Sequence, residues 1–281
     1  MPDASDQAVL ITVEDLVESM LSNRPPAVLD IRWQLGRDDG AERYRDGHLP
    51  GAVYVDLETE LAAPADPALG RHPLPDLERL QVSARSWGVD FGSPVVVYDD
   101  NAGMSAARAW WLLRWAGVAD VRILDGGFDA WQDAGMRVSK GDAKPRTGTV
   151  ALPGGALPTV DMNDVAATSA IVLDARATER FRGEVEPVDP RPGHIPGAVS
   201  APTSDNVDAS GRFLSPAELR ARFADLGVTS GQDVVVYCGS GVTAAHQIAA
   251  LAVAGINATL YPGSYSQWSS DPTRPVETSL P

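Results

Sequence analysis

The sequence predicts an α/β protein of two tandem domains, each a mainly parallel sheet flanked by helices. Its 281 residues suit two domains of ordinary size. The same short motifs occur twice along the chain, in the same order and at a nearly constant offset. Within each half, short apolar β-branched runs alternate with helical patterns, which favours a parallel sheet covered on both faces.

The repeated motifs indicate that the chain arose by duplication. Both halves contain an apolar run ending in Asp-x-Arg, a Gly-His-(Leu/Ile)-Pro-Gly-Ala-Val turn and a Val-Val-Val-Tyr run. The pairs occupy 28–32 and 172–176, 47–53 and 193–199, and 95–98 and 234–237. Matches in one order at nearly constant spacing are typical of an internal repeat.

The elements follow from these patterns in chain order. Strands are predicted at 27–31, 95–98 and 121–124, with partners at 171–174, 234–237 and 258–261. Helices are predicted at 12–22, 76–87, 105–116, 161–168, 215–226 and 243–254. Ser215 followed by Glu218 is typical of a capping box, and Thr12 followed by Asp15 is a looser form of it.

A stretch rich in glycine and proline, 139–158, is typical of a linker. We therefore expect a first domain at 1–140, a linker at 141–158 and a second domain at 159–281.

Composition limits the classes of partner. The formal net charge of −15 makes nucleic acid an unlikely partner, because a phosphate backbone would be repelled. One cysteine excludes a disulfide framework within the chain and any Cys-x-x-Cys metal or redox site. We expect no metal and no cofactor. The acidic N-terminus has no apolar core typical of a signal peptide, and no apolar run reaches the ~18 residues that span a bilayer. We expect a cytoplasmic protein without a membrane partner.

The cysteine, Cys238, follows the buried strand at 234–237 and precedes a glycine-rich loop and a helix that begins near Thr243. Ligands of parallel sheets bind beyond the carboxyl ends of the strands. Backbone N–H groups of the loop and the helix N-terminus would favour a thiolate, and equally a persulfide anion. A lone cysteine is more often a small buried hydrophobic residue, but this position favours a nucleophile.

The corresponding position in the first repeat is Asp99. A cysteine that only fills a core would more naturally be matched by another apolar residue. We therefore expect that the loop after 95–98 faces solvent and that the first half has no nucleophile.

The duplicated Gly-His-(Ile/Leu)-Pro-Gly-Ala segment and the Cys-Gly-Ser-Gly-Val-Thr-Ala loop resemble the two-domain rhodanese family. The resemblance covers nearly the whole chain. The Cys-Gly-Ser-Gly-Val form is most similar to 3-mercaptopyruvate sulfurtransferases, since thiosulfate-type members usually carry basic or bulkier residues after the cysteine. The resemblance implies tandem rhodanese-like domains and a sulfur-carrying Cys238 in the second. It also implies that the loop residues Gly239, Gly241, Val242 and Thr243 contact substrate.

The resemblance further implies a proton relay of serine, histidine and an acidic residue. Ser240 matches the loop serine, two residues after the nucleophile. His72, in Arg-His-Pro-Leu-Pro, matches the histidine of the first half. Glu58 matches the acidic residue after the first turn motif, with Asp56 as the fallback. Such a relay could move a proton as a mercapto substrate gives up its sulfur.

Two arginines that bind the substrate's anionic group are also implied. Arg180, four residues after the second Asp-x-Arg, matches the first. The second follows Glu-Pro in the family, but here Val188 stands after Glu186-Pro187, and Arg191 is the expected substitute. Because of this departure, mercaptopyruvate and thiosulfate both stay open as the donor.

Three functions compete with mercaptopyruvate sulfur transfer. Thiosulfate sulfur transfer is the serious rival, because both reactions share a Cys238 persulfide. A phosphatase would need an arginine six residues after the cysteine, where Ala244 stands. A silent binding module fits only the first half. We expect a small anionic sulfur donor and an acceptor that is a thiol, cyanide or a thioredoxin-like protein.

Overall fold

The computed structural model describes residues 8–229 and 231–279. The chain divides into two compact units, and neither is continuous in sequence. The first unit comprises Met1–Ala62, Pro75–Leu157 and Ala209–Phe213. The second comprises Ala63–Leu74, Pro158–Asp208 and Leu214–Pro281. The segment Ala63–Leu74, although it lies in the first repeat, therefore belongs to the second unit. The continuous domain and linker boundaries given above stay a prediction.

Within its described residues, the first unit has a five-stranded sheet of order β1-β5-β4-β2-β3 in which every pairing is parallel. The strands are β1 (Leu10–Ile11), β2 (Ala27–Asp30), β3 (Val53–Tyr54), β4 (Val95–Tyr98) and β5 (Val121–Leu124). The helices are α1 (Val13–Met20), α2 (Gly40–Asp46), α3 (Leu57–Glu60), α4 (Leu77–Ser86), α5 (Ala106–Trp115) and α6 (Gly127–Asp133).

In the part of the chain that the structure describes, the second unit repeats this order without a strand that corresponds to β1. Its described residues form a four-stranded parallel sheet of order β7-β6-β8-β9. The strands are β6 (Ile171–Asp174), β7 (Val199–Ser200), β8 (Val234–Tyr237) and β9 (Thr259–Leu260). The helices are α7 (Met162–Ala167), α8 (Thr178–Arg182), α9 (Pro216–Asp225), α10 (Thr243–Val253) and α11 (Ser264–Ser270), with a 3-10 helix at Thr203–Asn206.

The predicted fold class, parallel sheets flanked by helices, is confirmed. All six predicted strands and all six predicted helices are present, with ends that shift by at most two residues. Three strands of two residues and five helices of four to seven residues were not predicted, because they are too short for a periodic pattern. The capping box at Ser215 is present in full, and Thr12 caps α1 by accepting from the Asp15 N–H at 3.1 Å.

The central strand β8 positions the functional loop. All four of its residues are buried, and it lies between β6 and β9 with Val236 opposite Leu173 and Leu260. Arg176 fixes the end of the neighbouring strand β6, since its guanidinium binds the buried carboxylate of Asp174 and donates to the Gly193 carbonyl. The carboxyl end of the sheet is thus held in place where Cys238 follows.

The described helices include none that is both long and apolar enough to cross a membrane. The acidic N-terminal residues 1–7, on which the expectation of no signal peptide rests, lie outside the described residues.

Candidate active site

Cys238 directly follows β8 and is 1% exposed. Its backbone N–H donates to Ser264 Oγ at 3.2 Å, and its carbonyl accepts from the Tyr265 N–H at 2.9 Å. The N–H of Gly241 donates to Cys238 Sγ at 3.1 Å. The loop therefore folds back over the sulfur and directs the backbone N–H of Gly241 at it.

The backbone of the loop depends on Gly241. Its φ of +80° lies in the left-handed region, where a side chain would be strained. Two residues later the helix α10 begins at Thr243, after Val242 at its N-cap position. The N-terminus of this 11-residue helix therefore lies directly after the loop, and helix N-termini are common anion sites.

His72 and Ser240 meet beside the nucleophile. His72 Nδ1 and Ser240 Oγ share a hydrogen bond of 2.7 Å. Both residues are buried, at 3% and 7% exposure, so the bond is shielded from bulk water. His72 reaches Ser240 because the segment Ala63–Leu74 is part of the second unit. The structure thus brings together two of the three residues predicted for the relay.

Two guanidinium groups lie against Gly239. A Cβ built on this glycine would lie 2.9 Å from Arg71 Nη2 and 3.5 Å from Arg180 Nη1. Gly239 does not have a positive φ, so this position needs glycine for space rather than for conformation. Arg180 was predicted at the site from the sequence. Arg71 was missed, although it precedes His72 directly, because no motif marks it.

Two buried carboxylates hold these guanidiniums. Asp189 binds Arg71 Nη1 through Oδ1 and Arg180 Nη2 through Oδ2, the latter at 2.8 Å. Glu186 Oε1 accepts from Arg180 Nη2 at 2.7 Å. Burial raises the pKa of Asp189 although both arginines oppose the shift. Burial also opposes ionisation of Glu186, but the Asp189 N–H and the Arg180 guanidinium outweigh it and lower its pKa.

Arg191 does not have the arrangement expected of a substrate arginine. Its guanidinium donates to four backbone carbonyls, at distances between 2.7 and 3.0 Å, which belong to Trp268, Ser269, Asp271 and Arg274. The group therefore closes the C-terminal end of α11, where carbonyls lack helical partners. The sequence could not distinguish this role, because the interacting atoms are all backbone.

Glu58 lies on α3 of the first unit, where its carboxylate accepts from the indole N–H of Trp33 at 2.8 Å. Asp56, the fallback, is the N-cap of α3 and accepts from the Thr59 N–H at 2.9 Å. The part of Glu58 in the relay stays a prediction.

The first-repeat loop after β4 differs from expectation. Asp99 is fully buried rather than facing solvent, so that expectation was wrong. Its carboxylate accepts from the backbone N–H groups of Asn101, Gly103, Ser105 and Ala106, at 2.8 to 3.0 Å. Burial raises its pKa against these hydrogen bonds. The strand–loop–helix segment of this chain can therefore surround an anionic group with N–H donors.

The histidines of the two Gly-His-(Leu/Ile)-Pro-Gly-Ala-Val motifs have structural positions. His48 stacks on Tyr44 with ring centroids 4.3 Å apart, and its Nδ1 is 2.8 Å from the Leu49 carbonyl. His194 stacks on Phe181 at 3.7 Å and bonds the Phe181 carbonyl at 2.8 Å. Both imidazoles fix the start of a Pro-Gly-Ala-Val turn.

Apart from β1, the two parallel sheets share one strand order, and a loop with Cys238 after β8 corresponds to a loop with Asp99 after β4, which defines a duplicated α/β protein. The chain belongs to the rhodanese family, since the model of the rhodanese-like domain matches residues 13–134 and 161–271. The resemblance stated from the sequence is thereby confirmed, and so is the tandem arrangement of two such domains.

Similar proteins are named for two different sulfur donors, thiosulfate and 3-mercaptopyruvate. The chain is 48% identical over 273 residues to SseB of Mycobacterium tuberculosis, named as a thiosulfate sulfurtransferase, covering 95% of this chain and 96% of that protein. It is 45% identical over 282 residues to a protein of Pseudomonas aeruginosa named as a 3-mercaptopyruvate sulfurtransferase, covering 96% and 98%. The crystal structure of the Escherichia coli 3-mercaptopyruvate enzyme SseA superposes with a TM-score of 0.81 at 34% identity, covering 92% and 99%. The predicted enzyme class, sulfurtransferase, is confirmed.

Proposed function

We propose that this sulfurtransferase takes sulfur from 3-mercaptopyruvate, carries it as a persulfide on Cys238 and passes it to a thiol or to cyanide. The observation that carries this choice of donor is the buried 2.7 Å hydrogen bond between His72 and Ser240, within the loop of the nucleophile. The cysteine, serine and histidine act as the catalytic residues. Glu58 is proposed to complete the relay.

The first half-reaction has a proton to move. The Cys238 thiolate attacks the mercapto sulfur, an S–S bond forms, and the C–S bond breaks with its electron pair passing to the methylene carbon. The proton of the substrate thiol must leave sulfur and reach that carbon, which gives pyruvate and an anionic Cys238 persulfide. A serine hydroxyl that is hydrogen-bonded to an imidazole can accept a proton from the substrate sulfur and return one to the methylene carbon. This supports the Ser240–His72 pair as the relay.

The persulfide anion would be held as the thiolate is. The Gly241 N–H, 3.1 Å from Sγ, and the first turn of α10 from Thr243 favour negative charge near the sulfur. Asp99 gives a precedent within the same chain for an anion among loop N–H groups. Gly239, Gly241, Val242 and Thr243 are therefore proposed to line the sulfur, and Arg180 to bind the donor's carboxylate.

Thiosulfate is the second candidate donor. Its reaction needs no proton relay, because the S–S bond breaks and its electron pair leaves with sulfite. The observation that favours it is the presence of two guanidiniums, those of Arg71 and Arg180, beside Gly239, since paired N–H groups suit a sulfonate as well as a carboxylate. The M. tuberculosis relative is named for this donor.

In the second half-reaction a nucleophilic acceptor attacks the outer sulfur of the persulfide and releases the Cys238 thiolate. When the acceptor is cyanide, the product is thiocyanate. This is covalent ping-pong catalysis. A low-molecular-weight thiol or a thioredoxin-like protein is proposed as the acceptor in the cell.

The test is intact-protein mass spectrometry after treatment with each donor, compared with kcat/KM for both. We expect one added sulfur atom on the protein, removed by cyanide and absent from Cys238→Ser. A higher kcat/KM with mercaptopyruvate supports that donor, and a higher value with thiosulfate selects the rival. No adduct with either donor, or an adduct retained in Cys238→Ser, would disprove the persulfide.

A further inference from the structure

Ser264, the first residue of α11, has a strained backbone and contacts the nucleophile directly. Of the residues that the structure describes, Ser264 and Ala102 are the two non-glycine residues with a positive φ, and the φ of Ser264 is +53°. A side chain costs free energy in this left-handed region, which glycine occupies freely. Residues held in such conformations cluster at functional sites. We therefore expect the Ser264 side chain to make a contact that offsets its strain.

The first unit has a glycine at the corresponding position. The residue after Ser264 donates its N–H to the Cys238 carbonyl at 2.9 Å, and the residue after Gly127 donates its N–H to the Asp99 carbonyl at 2.8 Å. Gly127 has a φ of +57°, so both units make the same left-handed turn. A Cβ at Gly127 would lie 2.3 Å from the Asp99 carbonyl oxygen, so that turn has no room for a side chain. The turn beside the cysteine has room for one, and there the residue is a serine.

The Ser264 hydroxyl replaces a hydrogen bond that is missing between β8 and β9. The Tyr261 N–H donates to the Val236 carbonyl at 2.9 Å. In a regular parallel ladder the Cys238 N–H would donate next to the Tyr261 carbonyl. Instead the Cys238 N–H donates to Ser264 Oγ at 3.2 Å, and Ser264 Oγ donates to the Tyr261 carbonyl at 3.0 Å. The hydroxyl thus bridges the two strands where they separate, at the residue that carries the nucleophile.

This bridge is shielded from water. Ser264 is fully buried, and Cys238 is 1% exposed. A buried backbone N–H without an acceptor costs free energy, so the Cys238 N–H would need another acceptor if the hydroxyl were absent. The Tyr261 carbonyl could accept it directly only if Cys238 moved toward β9, because the hydroxyl now lies between the two groups.

The position of the sulfur depends on how the Cys238 backbone is held. The N–H of Cys238 is bound by Ser264, its carbonyl by the Tyr265 N–H, and its Sγ accepts from the Gly241 N–H at 3.1 Å. A shift of Cys238 toward β9 would move Sγ relative to the Gly241 N–H. Displacement of a reacting atom by about 1 Å can lower a catalytic rate by about a hundredfold. The Ser264 hydroxyl is therefore placed to control the rate of sulfur transfer without transferring a proton itself.

We propose that Ser264 is a positioning residue that acts through the backbone N–H of Cys238 and holds the sulfur in place for attack on the donor. This deepens the proposed function and rests on the Cys238 persulfide. The role is the same for mercaptopyruvate and for thiosulfate, because both donors meet the same sulfur. It thereby differs from the relay proposed for Ser240 and His72, which thiosulfate does not need.

The test measures persulfide formation in a single turnover, by intact-protein mass spectrometry at increasing donor concentration. Ser264→Ala and Ser264→Gly both remove the hydroxyl, and we expect the limiting rate to fall about tenfold to a hundredfold with either donor. The donor concentration that gives half of this rate should not change. Ser264→Gly should have the higher Tm of the two variants, because glycine relieves the strain. Ser269→Ala is the matched control, since this buried serine of α11 has a hydroxyl without a hydrogen-bond partner among the described residues.

The outcomes separate this role from the proposed function. A wild-type limiting rate in both variants, even at a lowered Tm, would show that Ser264 is only structural and would overturn the role. A raised half-saturating concentration at an unchanged limiting rate would also overturn it, because the donor and not the sulfur would then be displaced. Where Ser264→Ala fails to fold, the rate of Ser264→Gly decides. Absence of a persulfide from wild-type protein with either donor would overturn the proposed function, and this role with it.

Discussion

His72 Nδ1 lies 2.7 Å from Ser240 Oγ, although 168 positions separate the two residues in the chain. The contact exists because the segment Ala63–Leu74 leaves the first repeat and is part of the second unit.

Loss of the relay should separate the two donors. Ser240→Ala and His72→Ala each remove a proton-transferring group, and we expect a fall of about a hundredfold or more in mercaptopyruvate turnover. Thiosulfate turnover should fall little, because sulfite leaves without a proton. Steady-state kinetics with both donors measures the split, with the exposed Ser204→Ala as control. Equal losses for both donors would show that the pair has another role.

Substitution of the two loop glycines should have different effects, one on stability and the other on the donor KM. Gly241→Ala places a side chain at a φ of +80°, so we expect a loss of about 1 kcal/mol in the free energy of unfolding. Gly239→Ala should leave stability nearly unchanged. Its Cβ would lie 2.9 Å from Arg71 Nη2, so we expect the Arg71 guanidinium to shift and the donor KM to rise. Urea unfolding and steady-state kinetics of both variants test this. An unchanged KM in Gly239→Ala would contradict the arrangement.

Arg191→Gln should lower the stability of the protein and leave the donor KM unchanged. The variant leaves carbonyls at the end of α11 without donors, and we expect a cost of about 2 kcal/mol. The donor KM should match that of the control Arg182→Gln. Denaturant unfolding and kinetics are measured on the same preparations. A raised KM at unchanged stability would restore Arg191 as the substrate arginine predicted from the sequence.

Glu186 should contribute to the pH dependence of stability. Its pKa in the folded protein is lowered, so its contribution is present above the ordinary value of 4.5 and is lost as the pH falls through the folded value. Wild-type protein should therefore lose more stability than Glu186→Gln between neutral pH and acid. Urea unfolding at both pH values checks this, with Glu184→Gln, an exposed carboxylate nearby, as control. Equal losses in wild type and Glu186→Gln would contradict it.

Residue type and periodicity predict those parts of the fold that have a repeating apolar pattern or a distinctive loop composition. The strand β8, the helix α10 and the cysteine between them were predicted because four apolar residues, two loop glycines and an alanine-rich helix form a recognisable pattern. Ser240 and Arg180 followed from the family resemblance and lie beside Cys238 and Gly239. The strand β3 was missed, since two residues carry no periodic signal.

The remaining differences arise from contacts that a linear pattern does not contain. Arg71 is adjacent to His72 in sequence, but its place beside Gly239 depends on contacts with Ser266 and Asp189, which are distant in sequence. Arg191 was expected at the substrate because Val188, and not an arginine, follows Glu186-Pro187. Its acceptors are backbone carbonyls, which no residue pattern reveals. Asp99 was expected in solvent because an unpaired carboxylate avoids burial. Its four N–H partners come from a backbone conformation that the sequence did not predict.

The loop after β4 resembles an anion-binding loop whose ligand is its own side chain, the carboxylate of Asp99. A receptor loop that awaits its ligand must hold several N–H groups in converging directions without an acceptor, which costs stability. In the first unit that cost is absent, because the ligand is a side chain of the same loop. After duplication, the loop after β4 thus became a fixed part of the scaffold. The loop after β8 has no such carboxylate of its own, so its N–H groups are available to a negative charge that is present only during part of a reaction cycle.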